Sequence, residues 1–177
     1  MITIISATNR PNSNTRKVAE VVANLFQQKG AENVQLLSLE DLPAEAFYPN
    51  MYKEVAPALS EIQDKYIVPA TKFYFIIPEY NGSFSGVLKF FWDAISVRKS
   101  KESFGNKKAA LLGVADGRAG NLRGIDHFAA VLHHQKIAVL PNLQPISLVS
   151  KSFDENGQMN ADTLKVIDAQ VGQFIAF

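Results

Sequence analysis

The sequence predicts an α/β fold, a doubly wound five-stranded parallel sheet with helices on both faces. Short branched, apolar runs suited to strands buried on both faces alternate with stretches whose apolar residues recur at helical spacing. Five such strands separated by helices imply parallel βαβ units. The 177 residues suffice for one hydrophobic core, and no repeat, low-complexity stretch or break in composition marks a second, so residues 1–177 are read as a single domain.

Ile2 to Ser6 is the first predicted strand. After a polar loop, Val18, Val21, Val22, Leu25 and Phe26 recur at helical spacing, and Gly30 closes that helix. Val34 to Leu39 reads as the second strand. Leu42 to Tyr52, carrying Pro43 and Pro49, reads as irregular, and a weaker helical stretch runs from Pro57 to Tyr66. Phe73 to Ile77 is the clearest strand, ended by Pro78, which cannot continue a central strand. Ser85 is placed to cap a helix through Val87, Leu88, Phe91, Trp92 and Ile95. Lys108 to Val114 is the fourth strand and Leu122 to His133 the next helix. Ile137 to Leu140 is the fifth strand, stopped by Pro141, and Leu164, Ile167, Val171, Phe174 and Ile175 make the apolar stripe of a last helix.

Composition narrows the function. A net charge of +1 offers neither a nucleic-acid footprint nor an acidic tail. With no cysteine, disulfides, thiol catalysis and cysteine-held clusters are excluded, so any redox chemistry must rest on an organic cofactor. The apolar run at the N-terminus is too short for a signal peptide or a membrane span, so a cytoplasmic location is expected, with no membrane and no nucleic-acid partner. His133 and His134 sit at a predicted helix end, where basic residues suit the dipole; a metal role is the alternative, and no metal is assigned.

Ligands of doubly wound sheets bind outside the carboxyl ends of the strands, which directs attention to the loops after strands one, three and four. Ser6-Ala7-Thr8-Asn9-Arg10-Pro11-Asn12-Ser13-Asn14-Thr15 supplies hydroxyls, amides and a guanidinium beside a helix N-terminus, a set suited to a phosphate-sized anion. It lacks the Gly-Lys-Ser/Thr ending of a nucleotide P-loop, and there is no Gly-x-Gly-x-x-Gly fingerprint. Ser13 or Asn14 is equally readable as a plain N-cap. In the loop after the third strand, Asn81-Gly82 signals a turn, Gly82 lets the backbone approach a flat ligand, and Tyr80 offers an aromatic face. The plainer reading is a tight strand-to-helix turn with Tyr80 capping the core. Gly113 to Gly124 is glycine-rich and runs into a helix start, and taken alone is a flexible loop.

Pro78-Glu79-Tyr80-Asn81-Gly82-Ser83, followed by Gly86, Leu88 and Lys89, resembles the flavin-ring loop of the NAD(P)H-dependent FMN reductase family. That family has a flavodoxin-like fold and includes quinone- and azo-dye-reducing relatives. The resemblance runs through all three loops and the strand order between them. It implies FMN as cofactor, NADH or NADPH as electron donor and a small-molecule electron acceptor. By it, Thr8, Arg10, Ser13, Asn14 and Thr15 fall on the phosphate loop, and Pro78, Glu79, Tyr80, Asn81 and Gly82 on the ring loop. Ala115, Asp116, Gly117 and Arg118 fall on a third flavin-side loop whose N–H groups would serve the pyrimidine edge. The chain departs from the family pattern at Ala7, Asn12 and Ala115, where glycine, glycine and serine are frequent.

The resemblance further implies hydride transfer from a nicotinamide stacked on the exposed ring face to the flavin N5, with no side chain required as acid or base. It implies a homodimer or homotetramer with Trp92 and the Val97 to Phe104 stretch at the interface, although Trp92, Phe90 and Phe91 also read as core. The competing class is a flavin-binding electron carrier, or a flavin-free interaction module of the same fold. A phosphoacceptor receiver domain would need an acidic cluster after strand one, which is missing.

Overall fold

The computed structural model describes residues 1–46 and 48–177; Phe47, within the stretch predicted to be irregular, lies outside the described residues. β1 (Ile2–Ser6), β2 (Val34–Ser38), β3 (Lys72–Pro78) and β4 (Lys108–Val114) are parallel neighbours in the order β2-β1-β3-β4. β5 (Ala138–Val139) and β6 (Gln144–Ile146) both line the far side of β4, also parallel. This is the flavodoxin-like order, with the switch point between β1 and β3.

Alternation along the central strands divides the core. Ile5, Phe73, Phe75, Ile77, Ala109 and Leu111 face one layer, made by α2 (Pro57–Ile62), α3 (Gly86–Ala94), α4 (Ser100–Phe104) and α5 (Leu122–His134). Ile4, Tyr74, Ile76, Ala110, Leu112 and Val114 face the other, made by α1 (Asn14–Gln28) and α6 (Ala161–Ala176). A period of two in the strands meets a period near 3.6 in the helices, as in α1, where Val18, Val22, Leu25 and Phe26 are buried. Gly30 ends α1 with φ of +74°, and the Gly30 and Ala31 N–H groups return to the Gln27 and Phe26 carbonyls, a Schellman closure.

Several expectations are corrected. β2 stops at Ser38, because its hydroxyl accepts from the Glu40 N–H at 3.3 Å and starts a 3₁₀ turn at Leu39. The helical stretch from Pro57 opens into a π-helical turn over Gln63–Ile67. The fifth strand is broken: Ala138–Val139 pairs with Lys108–Ala109, the chain leaves the sheet at Pro141, and Gln144–Ile146 returns beside Leu112–Val114. The gap leaves the Leu111 carbonyl without a strand partner, and the buried Gln170 amide donates to it at 3.0 Å and to the Asn142 carbonyl at 2.8 Å. Its Oε1 accepts from the Tyr74 hydroxyl. Gln170 thus sits within the apolar face of α6, while Ile175, expected in that stripe, is exposed.

Trp92 belongs to the core. It is 1% exposed and meets Phe75 edge-on at 5.4 Å and Phe104 at 5.0 Å, so neither Trp92 nor Phe104 presents a surface. Phe91 is likewise buried, whereas Val97 is exposed.

Candidate active site

The loops after β1, β3 and β4 converge on a cleft of about 400 Å³. Its walls include Arg10, Pro11, Asn12, Ser13, Asn14 and Thr15 from the first loop, Pro78, Glu79 and Tyr80 from the second, and Val114, Ala115, Asp116 and Val149 from the third side. Ser13 caps α1, its hydroxyl accepting from the Arg16 N–H at 3.2 Å. The N–H groups of Asn14 and Thr15 then have no acceptor among the described residues, and the positive end of a 15-residue helix opens on the cleft. Asn12 has φ of 54°, a conformation open to glycine and asparagine, which accounts for this departure from the family pattern. The Ala7 methyl is fully buried in the core, so that departure leaves the cleft unchanged.

The second loop is a two-residue hairpin. Tyr80 and Ser83 exchange backbone hydrogen bonds of 2.9 and 3.1 Å, and Asn81 and Gly82 between them have φ of 53° and 78°, the pattern of a type I′ turn. Asparagine followed by glycine is the pair that turn requires. Side-chain bonds fix the hairpin against its neighbours. The Tyr80 and Thr8 hydroxyls lie 2.7 Å apart, Ser83 Oγ and His127 Nδ1 2.9 Å apart, and the Ser85 hydroxyl donates to the Ala7 carbonyl at 2.6 Å.

In the third loop, Ala115 donates from its N–H to the Ile146 carbonyl and accepts from the Val149 N–H, both at 3.1 Å. The Asp116 carboxylate accepts from the Ser150 N–H at 2.9 Å. Ser150's hydrogen bonds, and after them the charge of Arg10, hold Asp116 below the usual carboxylate range. Asn121, 1% exposed with φ of 64°, caps α5: its Oδ1 accepts from the Gly124 N–H at 3.1 Å, and its Nδ2 donates to the Ile77 carbonyl at 2.9 Å.

Of the residues expected in the site, Arg10, Ser13, Asn14, Thr15, Pro78, Glu79, Tyr80, Ala115 and Asp116 meet at the cleft. Thr8 does not line it; it lies buried behind Tyr80 and Arg10. Asn81 and Gly82 are exposed at the hairpin tip, and Gly117 and Arg118 are exposed on the third loop. Sequence reasoning missed Val149 and Ser150, which arrive on a distant return of the chain and carry no local signal. It also missed Asn121, whose place between Gly120 and a helical pattern is an N-cap signal. Among the described residues, no group of three His, Cys, Asp or Glu gathers to hold a metal ion, and no helix is long and apolar enough to cross a membrane.

The chain is similar to known proteins in sequence and in fold. The family model for NADPH-dependent FMN reductase matches residues 1–149. The chain is 33% identical over 116 residues to an NAD(P)H-dependent FMN reductase of Pseudomonas aeruginosa. The aligned part is 64% of this chain and 61% of that relative, so the chain spans less than two thirds of the relative's length. Among solved structures, it is similar to the flavoenzyme NAD(P)H:(acceptor) oxidoreductase FerB of Paracoccus denitrificans, with a TM-score of 0.81, 19% identity, and coverage of 99% of this chain and 94% of that one. An NADH:FMN oxidoreductase in its apo form has a TM-score of 0.77 at 20% identity, covering 98% and 87%. A flavodoxin from the domain Archaea has a TM-score of 0.63 at 15% identity, covering 98% and 96%. At these identities the structural likenesses establish the fold.

Proposed function

The chain belongs to the NADPH-dependent FMN reductase family, and on that premise we propose that it is an oxidoreductase that holds FMN in the cleft and passes reducing equivalents from NADH or NADPH to a small-molecule acceptor. The observation that carries this is the pairing, in one cleft, of an anion-seeking end with a glycine-bearing hairpin. At the α1 end, the N–H groups of Asn14 and Thr15, the hydroxyls of Ser13 and Thr15 and the Arg10 guanidinium form a donor set matched to a phosphate. Pro78, Tyr80, Ala115 and Val149, in the same lining, offer apolar surface to a flat ring. A volume of about 400 Å³ lies within the range of sites for small organic ligands.

When bound, FMN supplies the two-electron redox chemistry that this cysteine-free chain lacks. The protein's own part is binding and electrostatics. Arg10 and the α1 terminus neutralise the phosphate, and the Gly82 position, with nothing within 4 Å of where a Cβ would stand, leaves the hairpin backbone open to a ring. N–H groups of the hairpin and of the third loop would stabilise negative charge developing on a reduced ring. No side chain is required as acid or base in this scheme. The same reading makes the chain a subunit of a homodimer or homotetramer, which light scattering on the purified protein tests.

The direct test of the site is a titration with FMN followed by flavin fluorescence. Saturable uptake of one FMN per chain, weakened at least tenfold by Arg10→Ala combined with Thr15→Val, is expected from loss of charged and hydroxyl hydrogen bonds worth about 1.5–3 kcal/mol. Absence of uptake by the unmodified chain would overturn the proposal.

A further inference from the structure

We propose that the Asp116 carboxylate is a fixed negative charge that lowers the reduction potential of the flavin and so makes the loaded cleft a readier electron donor; the inference rests on the FMN reading above. Two carboxylates belong to the cleft lining, those of Glu79 and Asp116. Glu79 is exposed, and its side chain has no hydrogen bond or ion pair among the described residues, so it is free to turn to water. Asp116 is anchored. Its Oδ1 accepts from the Ser150 N–H at 2.9 Å, which ties the carboxylate to the strap of residues 146–150. The strap holds the third loop on either side of it: Ala115 exchanges backbone bonds of 3.1 Å with Ile146 and Val149, and the Ser147 hydroxyl donates to the Arg118 carbonyl at 2.5 Å. Asp116 is ionised at neutral pH, because Ser150's hydrogen bonds and then the charge of Arg10 favour the carboxylate. It enters no ion pair among the described residues, so no partner at contact distance cancels its charge.

A hydride carries two electrons and one proton. Its transfer leaves the nicotinamide one unit more positive and the ring one unit more negative. The phosphate carries the same charge before and after, so whatever Asp116 and Arg10 do to it cancels between the two redox states. What remains from Asp116 is repulsion between its anchored carboxylate and the charge the ring has gained. Salt screens charges over about 8 Å, a length on the scale of a cleft of about 400 Å³. At that distance, with an effective dielectric between that of a protein surface and that of water, one unit charge moves an equilibrium about five- to thirtyfold. The carboxylate therefore weakens the hold on reduced FMN relative to oxidised FMN by that factor, and the electrons pass more readily to the acceptor.

The test is the reduction potential of the FMN-loaded chain at mildly alkaline pH, read from flavin absorbance without oxygen against a reference dye of known potential. Asp116→Asn keeps an oxygen for the Ser150 N–H and removes the charge. It should favour reduced over oxidised FMN at least about fivefold, a rise of about 20 mV for a two-electron couple, and raised salt should shrink the difference from the unmodified chain. Asp116→Glu, which keeps the charge, should stay close to the unmodified chain, and Glu79→Gln should rise by less than half as much as Asp116→Asn. An unchanged or lower potential in Asp116→Asn would reduce Asp116 to a tie between the third loop and the strap and overturn the proposal. So would a rise in Glu79→Gln equal to that in Asp116→Asn, which would assign the effect to the summed charge of the cleft. Should Asp116→Asn fail to fold, Asp116→Ser, which also lacks the charge, decides by the same criterion. An unmodified chain that takes up no FMN removes the FMN reading and this inference together, whereas a loaded Asp116→Asn chain with an unmoved potential removes this inference alone.

Discussion

Adding one methyl group at Gly124 should reveal how Asn121 ties the second and third loops. A Cβ on Gly124 would stand 2.1 Å from Asn121 Oδ1 and 2.7 Å from Cγ and Nδ2, and these are its three nearest atoms. Gly124→Ala therefore expels the amide, which breaks the α5 cap and the bond from Nδ2 to the Ile77 carbonyl. A lost cap costs about 1 kcal/mol, and a lost bond to a buried carbonyl about 1 kcal/mol more. Relief from a helical glycine returns under 1 kcal/mol. The single variant should thus lose roughly 1–2 kcal/mol net. Asn121→Ala should lose about 3 kcal/mol, because alanine must also hold the left-handed φ of 64°. Asn121→Gly escapes that strain and should lose only about 1–1.5 kcal/mol.

In the Asn121→Gly background the obstruction is gone, and Gly124→Ala becomes neutral or stabilising, giving a coupling energy of about 2 kcal/mol. Urea unfolding of the flavin-free chain reads this directly, since the single Trp92 is buried in the core and reports its loss by fluorescence. Additivity of the two substitutions within about 0.5 kcal/mol would refute the account of Asn121.

Other expectations follow from the same structure. Gln170→Leu leaves the Leu111 and Asn142 carbonyls and the Tyr74 hydroxyl without partners and should cost about 3–5 kcal/mol in urea unfolding, although leucine has the greater helix propensity. Gly82→Ala meets open space, so its cost of about 1 kcal/mol is conformational, from φ of 78°; Gly86→Ala, also in open space but without positive φ, should be neutral or stabilising in the same assay. Lys107 is 5% exposed and donates to the Ile67, Val68 and Ala70 carbonyls, and burial lowers its ammonium to about 8. Because the unfolded chain keeps that proton up to the ordinary value of 10.5, it binds more protons than the folded chain between these limits. The stability of the unmodified chain relative to Lys107→Met should therefore rise by about 2–3 kcal/mol from pH 8 to pH 10.5; a fall over that range would mean that the three carbonyls, rather than burial, govern the charge.

Features written in adjacent residues were legible from sequence. The α1 stripe from Val18 to Phe26, the Gly30 closure, the Ser85 cap and the Asn81–Gly82 turn each need only a few neighbouring side chains, and the structure contains each of them. The parallel, doubly wound sheet followed because alternating strands and helices leave few topologies, and the strand order came with the resemblance carried by the three loops. What escaped depends on groups far apart in the chain. The break in the fifth strand is tolerated because Gln170, near the C-terminal end of the sequence, fills the gap beside Leu111, and a polar residue inside an apolar stripe gives no such signal. Trp92 reads equally as core or surface until Phe75 and Phe104 are brought to it. In the site, the residues of each loop were readable, but the bonds between loops, Thr8 to Tyr80, Ser85 to Ala7 and Asn121 to Ile77, span 72, 78 and 44 positions.

The central claim is tested most directly by adding NADH, and separately NADPH, without oxygen to the FMN-loaded chain and following the visible flavin absorbance. The account expects the band to bleach with at least one of the two nicotinamides and to return when a small-molecule acceptor such as a quinone is admitted. Bound FMN that neither nicotinamide bleaches would contradict it, and would make the chain a carrier of electrons supplied by another protein.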